Sequence, residues 1–182
     1  MLSEKQREID TVADTVRHVY GIGFPVGDMK DVVRRMGGEL ASNDGLLDGR
    51  IAKYKEDSFA ILVPHDKKGF NTSRIRFIVV HELGHLFLHM YFQRDREKWK
   101  QIQQGRSFDK SDKSDYARKQ MEANEFAWAF LMPRDEFYRA VHRLAKVKDG
   151  ELYVESSALA SYFNVSEVDV ICRGKTLGIV EY

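Results

Sequence analysis

One cysteine, Cys172, is all that the sequence contains, so no disulfide can close within the chain and no thiolate pair can grip a metal. Any bound metal must therefore rely on nitrogen and oxygen ligands. No apolar run approaches the roughly 20 residues that span a bilayer, which leaves out the membrane-embedded classes. The opening MLSEKQREID is charged throughout and lacks the apolar stretch of a signal peptide. The expected location is cytoplasmic, and a secreted, disulfide-braced protease is disfavoured. An excess of one sign of charge is missing too. The 29 Lys and Arg face 28 Asp and Glu, a balance that offers no electrostatic footprint for tight nucleic-acid binding. Internal repeats and long linkers are also lacking.

What is present suffices for one globular domain, or one domain with a small appendage. A chain of 182 residues buries a real core, so a metal is not needed for folding. Ser3 and Gln6 form a capping-box pattern ahead of Ile9, Val12, Ala13, Val16 and Val19, predicting an amphipathic helix that runs to Gly21. Asp28 caps a second short helix carrying Val32, Val33 and Met36, stopped by Gly37 and Gly38. A β region follows, with turn signals at Asp44-Gly45 and Asp48-Gly49 and strands at 50–54 and 58–63. The second strand can be a sheet edge to which an extended substrate adds, or an ordinary core strand.

Thr72 or Ser73 opens a strongly apolar helix that continues across His81 to about His89. The stretch 93–118 is very polar, and its middle, near 105–114, reads as a mobile surface loop. Helical patterning returns at 121–131, Pro133 redirects the chain, and a further helix is expected at 135–146 before a loop around Asp149-Gly150.

Within the apolar helix stands His81-Glu82-Leu83-Gly84-His85, an HExxH motif. Residues four apart share a helix face, so both imidazoles can turn toward one ion at about 2.0–2.1 Å. Glu82 projects beside that face, where it can take a proton from water and deliver it to a leaving amine. A catalytic zinc usually keeps three protein ligands and one open position. His89 lies roughly 12 Å further along the helix axis, too far to share the ion, and is read as a supporting or a core histidine. The metzincin pattern fails at Leu88 and Tyr91. The next helix offers Glu122 and Glu125, three apart on one face and equivalent by spacing alone.

Three segments carry a resemblance: FNTSRIRFIVVHELGHLFLH at 70–89, EANEFAWAFLMP at 122–133 and LASYFNVSEVDVICRGKTLG at 159–178. In this order they resemble the ImmA/IrrE family of metallopeptidases, over about two thirds of the chain once the intervening segments are included. The resemblance implies that Glu122 is the third ligand beside His81 and His85. It also implies an α+β, zincin-like metallopeptidase core: the HExxH helix, a short antiparallel or mixed sheet, a second ligand-bearing helix, and a helix-turn-helix-like tail. On that basis residues 1–147 form the peptidase domain, and 148–182 form the tail packed on it. The implied activity is a zinc-dependent endopeptidase, with manganese possible, that cleaves a helix-turn-helix repressor and derepresses its genes. One departure is the polar stretch between His89 and Glu122. It is longer than a compact member needs and is read as a flap, a substrate selector or an insertion.

In the tail, Ser156 or Ser157 caps one helix and Ser166 a second, with Asn164-Val165-Ser166 as the turn. Glu167 and Asp169 open the second helix, and Arg173 and Lys175 are the only nearby cations, so direct DNA binding is disfavoured against a structural or protein-recognition role. The competing functions are a catalytically silent metal-binding partner module, as in a toxin-antitoxin pair, and a DNA-binding regulator acting through the tail.

Overall fold

The computed structural model describes residues 2–105 and 113–179. Helix α1 (Glu4–Val19) starts at the capping box of Ser3 and Gln6 and ends ahead of Gly21, whose φ is +62°. Its buried face is Ile9, Ala13 and Val16, laid against α5 (Lys113–Leu131). Helix α2 (Met29–Arg35) is capped by Asp28 as its sequence indicates.

Three strands follow: β1 (Glu39–Asn43), β2 (Arg50–Lys55) and β3 (Ser58–Pro64). The sheet order is β1-β3-β2, with β1 parallel and β2 antiparallel to β3. β3 is thus the central strand, paired on both sides, so of the two readings of 58–63 the core strand holds and the free edge does not. The apolar alternation of Phe59, Ile61 and Val63, all fully buried, marks a strand face against the core and carries no information about which neighbours pair with it. The edge beside the HExxH helix is β2.

Helix α3 (Ser73–Gly84), capped by Thr72, buries Ile75, Val79, Val80 and Leu83, then widens into a π-helical turn over His85–His89. In that turn Met90 N–H donates to His85 O across five residues at 2.9 Å. The polar stretch is partly ordered as helix α4 (Arg96–Gln101), anchored by Trp99, which is buried and donates its indole N–H to Glu56 O at 2.7 Å. Gly105 N–H reaches Lys53 O on β2 at 2.7 Å. Most of the loop expected near 105–114 lies outside the described residues.

Helix α5 begins at Lys113, well before the first apolar residue of its pattern, Met121. Its opening turns are polar, and Asp115 pairs with Arg118 and Lys119 at helical spacing. Helix α6 (Arg134–Leu144) leads into a hairpin, β4 (Lys146–Lys148) and β5 (Glu151–Tyr153), where a loop was expected. Asp149 and Gly150 both have positive φ, the requirement of a two-residue type I′ turn.

Helix α7 (Ser156–Phe163) ends at Asn164, which is left-handed at φ 52°, and Ser166 opens α8 (Glu167–Leu177) with a capping box to Asp169. Asp169 also accepts from the Trp128 indole N–H at 3.0 Å. Arg173 is 1% exposed, donates to Met132 O, and pairs with Asp10 on α1 at 2.8 Å. Among the described residues no helix is long and apolar enough to cross a membrane.

Candidate active site

The site is the seam between α3 with its π-helical turn, which carry His81, Glu82, His85 and His89, and α5, which carries Arg118, Gln120, Glu122 and Asn124. The two helices pack closely because Gly84 has no side chain. A Cβ there would lie 3.0 Å from Ala123 Cα and 3.1 Å from Ala123 O. His81 and His85 stand one turn apart, with ring centroids at 4.8 Å and planes at 76°. Their Nε2 atoms are 3.1 Å apart.

The partners of these rings determine where the hydrogens sit. Asn124 Oδ1, which can only accept, lies 2.8 Å from His81 Nδ1, so that nitrogen carries the hydrogen and Nε2 keeps its lone pair. Gln120 Nε2, which can only donate, lies 3.1 Å from His85 Nε2, so that nitrogen is also an acceptor. Both Nε2 atoms therefore face the same space, an orientation and spacing that a divalent cation takes from a histidine pair.

The two acids of α5 diverge. Glu122 Oε2 is 3.0 Å from His89 Nε2, and Oε1 pairs with Arg118. Burial pushes the Glu122 carboxyl up, but the hydrogen bonds from His89 and Arg118 outweigh it and hold the group below the usual carboxylate value. Glu125 instead accepts from Gln6 on α1 at 3.1 Å and from Thr176 on α8 at 3.3 Å, and burial raises its pKa. Three residues of helix rotate a side chain by about 60° from its starting direction. On a helix wedged between α3 and the α1–α8 pair, that angle places the acids on different seams.

Thus His81 and His85 come together, and Glu122 lies one ring away, linked to His85 through His89. Among the described residues no group of three or more His, Cys, Asp or Glu is already positioned to hold a metal ion. The donor chemistry nonetheless fits one: two imidazoles in ligating tautomers and an ionised carboxylate on the facing helix.

Glu82 is 7% exposed and sits under the start of β2. A Cβ on Gly49 would come within 2.8 Å of Glu82 Oε1 and 2.6 Å of Ile78 Cγ2, so any larger residue there has to displace one or both side chains. As site residues Asn124, Gln120 and Arg118 escaped the sequence reading, and Gly49 entered it only as part of a turn signal. Asn124 had a signal, since a ligating histidine needs a partner for its other nitrogen and this amide stands two residues from Glu122. Gly49 had none, because its role depends on which strand crosses the helix.

Comparison with curated proteins finds no match. A family model described as Peptidase_M78, IrrE N-terminal-like domain, matches residues 67–173. That span runs from the approach to α3 into α8, more than half of the chain, and contains His81, Glu82, His85 and Glu122. The chain belongs to the Peptidase_M78 family of metallopeptidases, which carries the IrrE N-terminal-like domain.

Proposed function

We propose that this chain is a zincin-like, zinc-dependent endopeptidase, with manganese as the alternative metal, that acts in the cytoplasm on a helix-turn-helix repressor and thereby derepresses genes. The observation that carries the reading is the pair of acceptor nitrogens, His81 Nε2 and His85 Nε2, 3.1 Å apart beside the buried Glu82. His81, His85 and Glu122 would hold the ion. When bound, it supplies Lewis acidity that polarises the scissile carbonyl and acidifies a water molecule. Asn124 keeps His81 in its ligating tautomer. Glu82 accepts the water proton and passes it to the leaving amine, and its burial shields that transfer from bulk solvent. The open edge of β2 runs away from Gly49 and Glu82. We read it as the rail on which an extended substrate aligns, with Gly105 closing it at Lys53.

The tail, read as helix-turn-helix-like, serves protein recognition or structure in this account. Arg173 is buried against Asp10 and Asp169 is held by Trp128, while Val168 and Ile171 face outward, a surface poorly suited to phosphates. A second reading, a metal-binding module without turnover, draws on the Arg118 contact that occupies one oxygen of Glu122.

The test uses purified protein and Glu82→Gln, each assayed for bound metal and incubated with the helix-turn-helix regulator encoded beside the gene, with intact mass as the readout. Both should carry metal, and only the wild type should yield two fragments. Metal in both with cleavage in neither selects the second reading.

A further inference from the structure

His89 makes contacts that neither metal ligation nor core filling accounts for. Its side chain is 5% exposed, and both of its ring nitrogens are engaged. Nδ1 lies 2.9 Å from His85 Nδ1 and Nε2 lies 3.0 Å from Glu122 Oε2. The direction of each bond follows from its neighbour. With Gln120 donating to His85 Nε2, the hydrogen of His85 falls on Nδ1, which donates to His89 Nδ1. His89 then carries its own hydrogen on Nε2 and donates to Glu122. The chain Gln120, His85, His89, Glu122 therefore runs in one direction. The π-helical turn seats His89 for this, with its ring centroid 5.0 Å from that of His85.

We propose that His89 is a positioning residue for the metal site. Its Nδ1 accepts from His85 Nδ1–H and so supports the tautomer whose bare Nε2 faces His81. Its Nε2–H holds the Glu122 carboxylate one ring away from His85, tying α5 to the histidine pair. One buried imidazole thus bridges two of the three proposed ligands, on two different helices. This rests on the metallopeptidase reading above. It differs from a packing role in what it demands of a replacement, an acceptor toward His85 and a donor toward Glu122.

A glutamine meets that demand, since its amide oxygen can accept and its amide nitrogen donate, whereas a leucine fills space and does neither. The test measures zinc affinity of the intact protein by chelator competition, and the visible absorption of the cobalt-loaded protein, for wild type, His89→Leu and His89→Gln. His89→Met replaces the leucine variant if that one does not fold. The apolar variant should bind zinc about 10- to 100-fold more weakly and shift the cobalt bands, and His89→Gln should recover most of the loss. Wild-type affinity in the apolar variant overturns the proposal, as does an equal loss in both variants, which makes the ring's shape the cause. A wild type that takes up no zinc or cobalt overturns the metal-site reading itself, an outcome separate from failure of the His89 series.

Discussion

Glu82 is confined from above by Gly49, a contact that ties a β-strand terminus to an acid on a helix. Gly49→Ala should force the carboxylate off its seat while leaving His81, His85 and Glu122 untouched. A displacement on the order of 1 Å at a reacting group lowers turnover about 100-fold. Steady-state cleavage beside a zinc titration checks this: turnover should fall with zinc affinity unchanged, and normal turnover would mean that Glu82 accommodates the methyl. The residues that touch these atoms divide by how they announce themselves. His81, Glu82 and His85 are visible because a single helix brings them together, and local spacing is what a sequence displays. Asn124, Gln120 and His89 act across a helix seam, where the hydrogen bonds depend on the roll of α5 about its axis.

Between elements, the controlling distance is that of α3 from α5 at Gly84. Gly84→Ala places a methyl against the Ala123 backbone at 3.0 Å, and backbone cannot rotate away. The gain in helix propensity is about 1 kcal/mol, while overpacking a tight core contact costs about 1–3 kcal/mol. The variant should melt below the wild type and bind zinc more weakly, because Glu122 and Asn124 ride on the displaced helix. Calorimetry with the same zinc titration tests both, and a higher melting temperature would mean that the two helices slide freely. At this scale most caps were legible: Ser3, Asp28, Thr72 and Ser166 each sit where a helix starts, whereas α7 takes Glu155 as its N-cap rather than Ser156 or Ser157. The β4-β5 hairpin was not. Its strands are three residues long, and only Asp149-Gly150 hints at it. The early start of α5 was also hidden, because ion pairs among polar side chains, Asp115 with Arg118 and Lys119, stabilise its first turns without any apolar period.

Over the whole molecule, α8 is fastened to α1 by the Arg173–Asp10 ion pair, made by residues near opposite ends of the chain. Removing one partner of a buried pair strands the other, at about 3–5 kcal/mol. Arg173→Met should fall toward the lower end, since Asp10 is 14% exposed and keeps some contact with water. Thermal melts should show a drop on the order of 10 °C at this size, with Arg173→Met combined with Asp10→Leu recovering much of it. An unchanged melting temperature would leave α8 held by apolar contacts alone. The sequence reading left Arg173 as a surface cation of the tail, since nothing local distinguishes a buried arginine from an exposed one. By itself the sequence determined the helix carrying the HExxH motif, the caps, the apolar faces and the α+β character, all set by interactions within a few residues. Only the tertiary structure decided that β3 is central and β2 the edge, that Glu125 faces α1 and α8 while Glu122 faces His89, and that His89 joins His85 to Glu122. Each of these follows from how elements distant in sequence are rolled and stacked against one another, a choice made by the packing of the whole core.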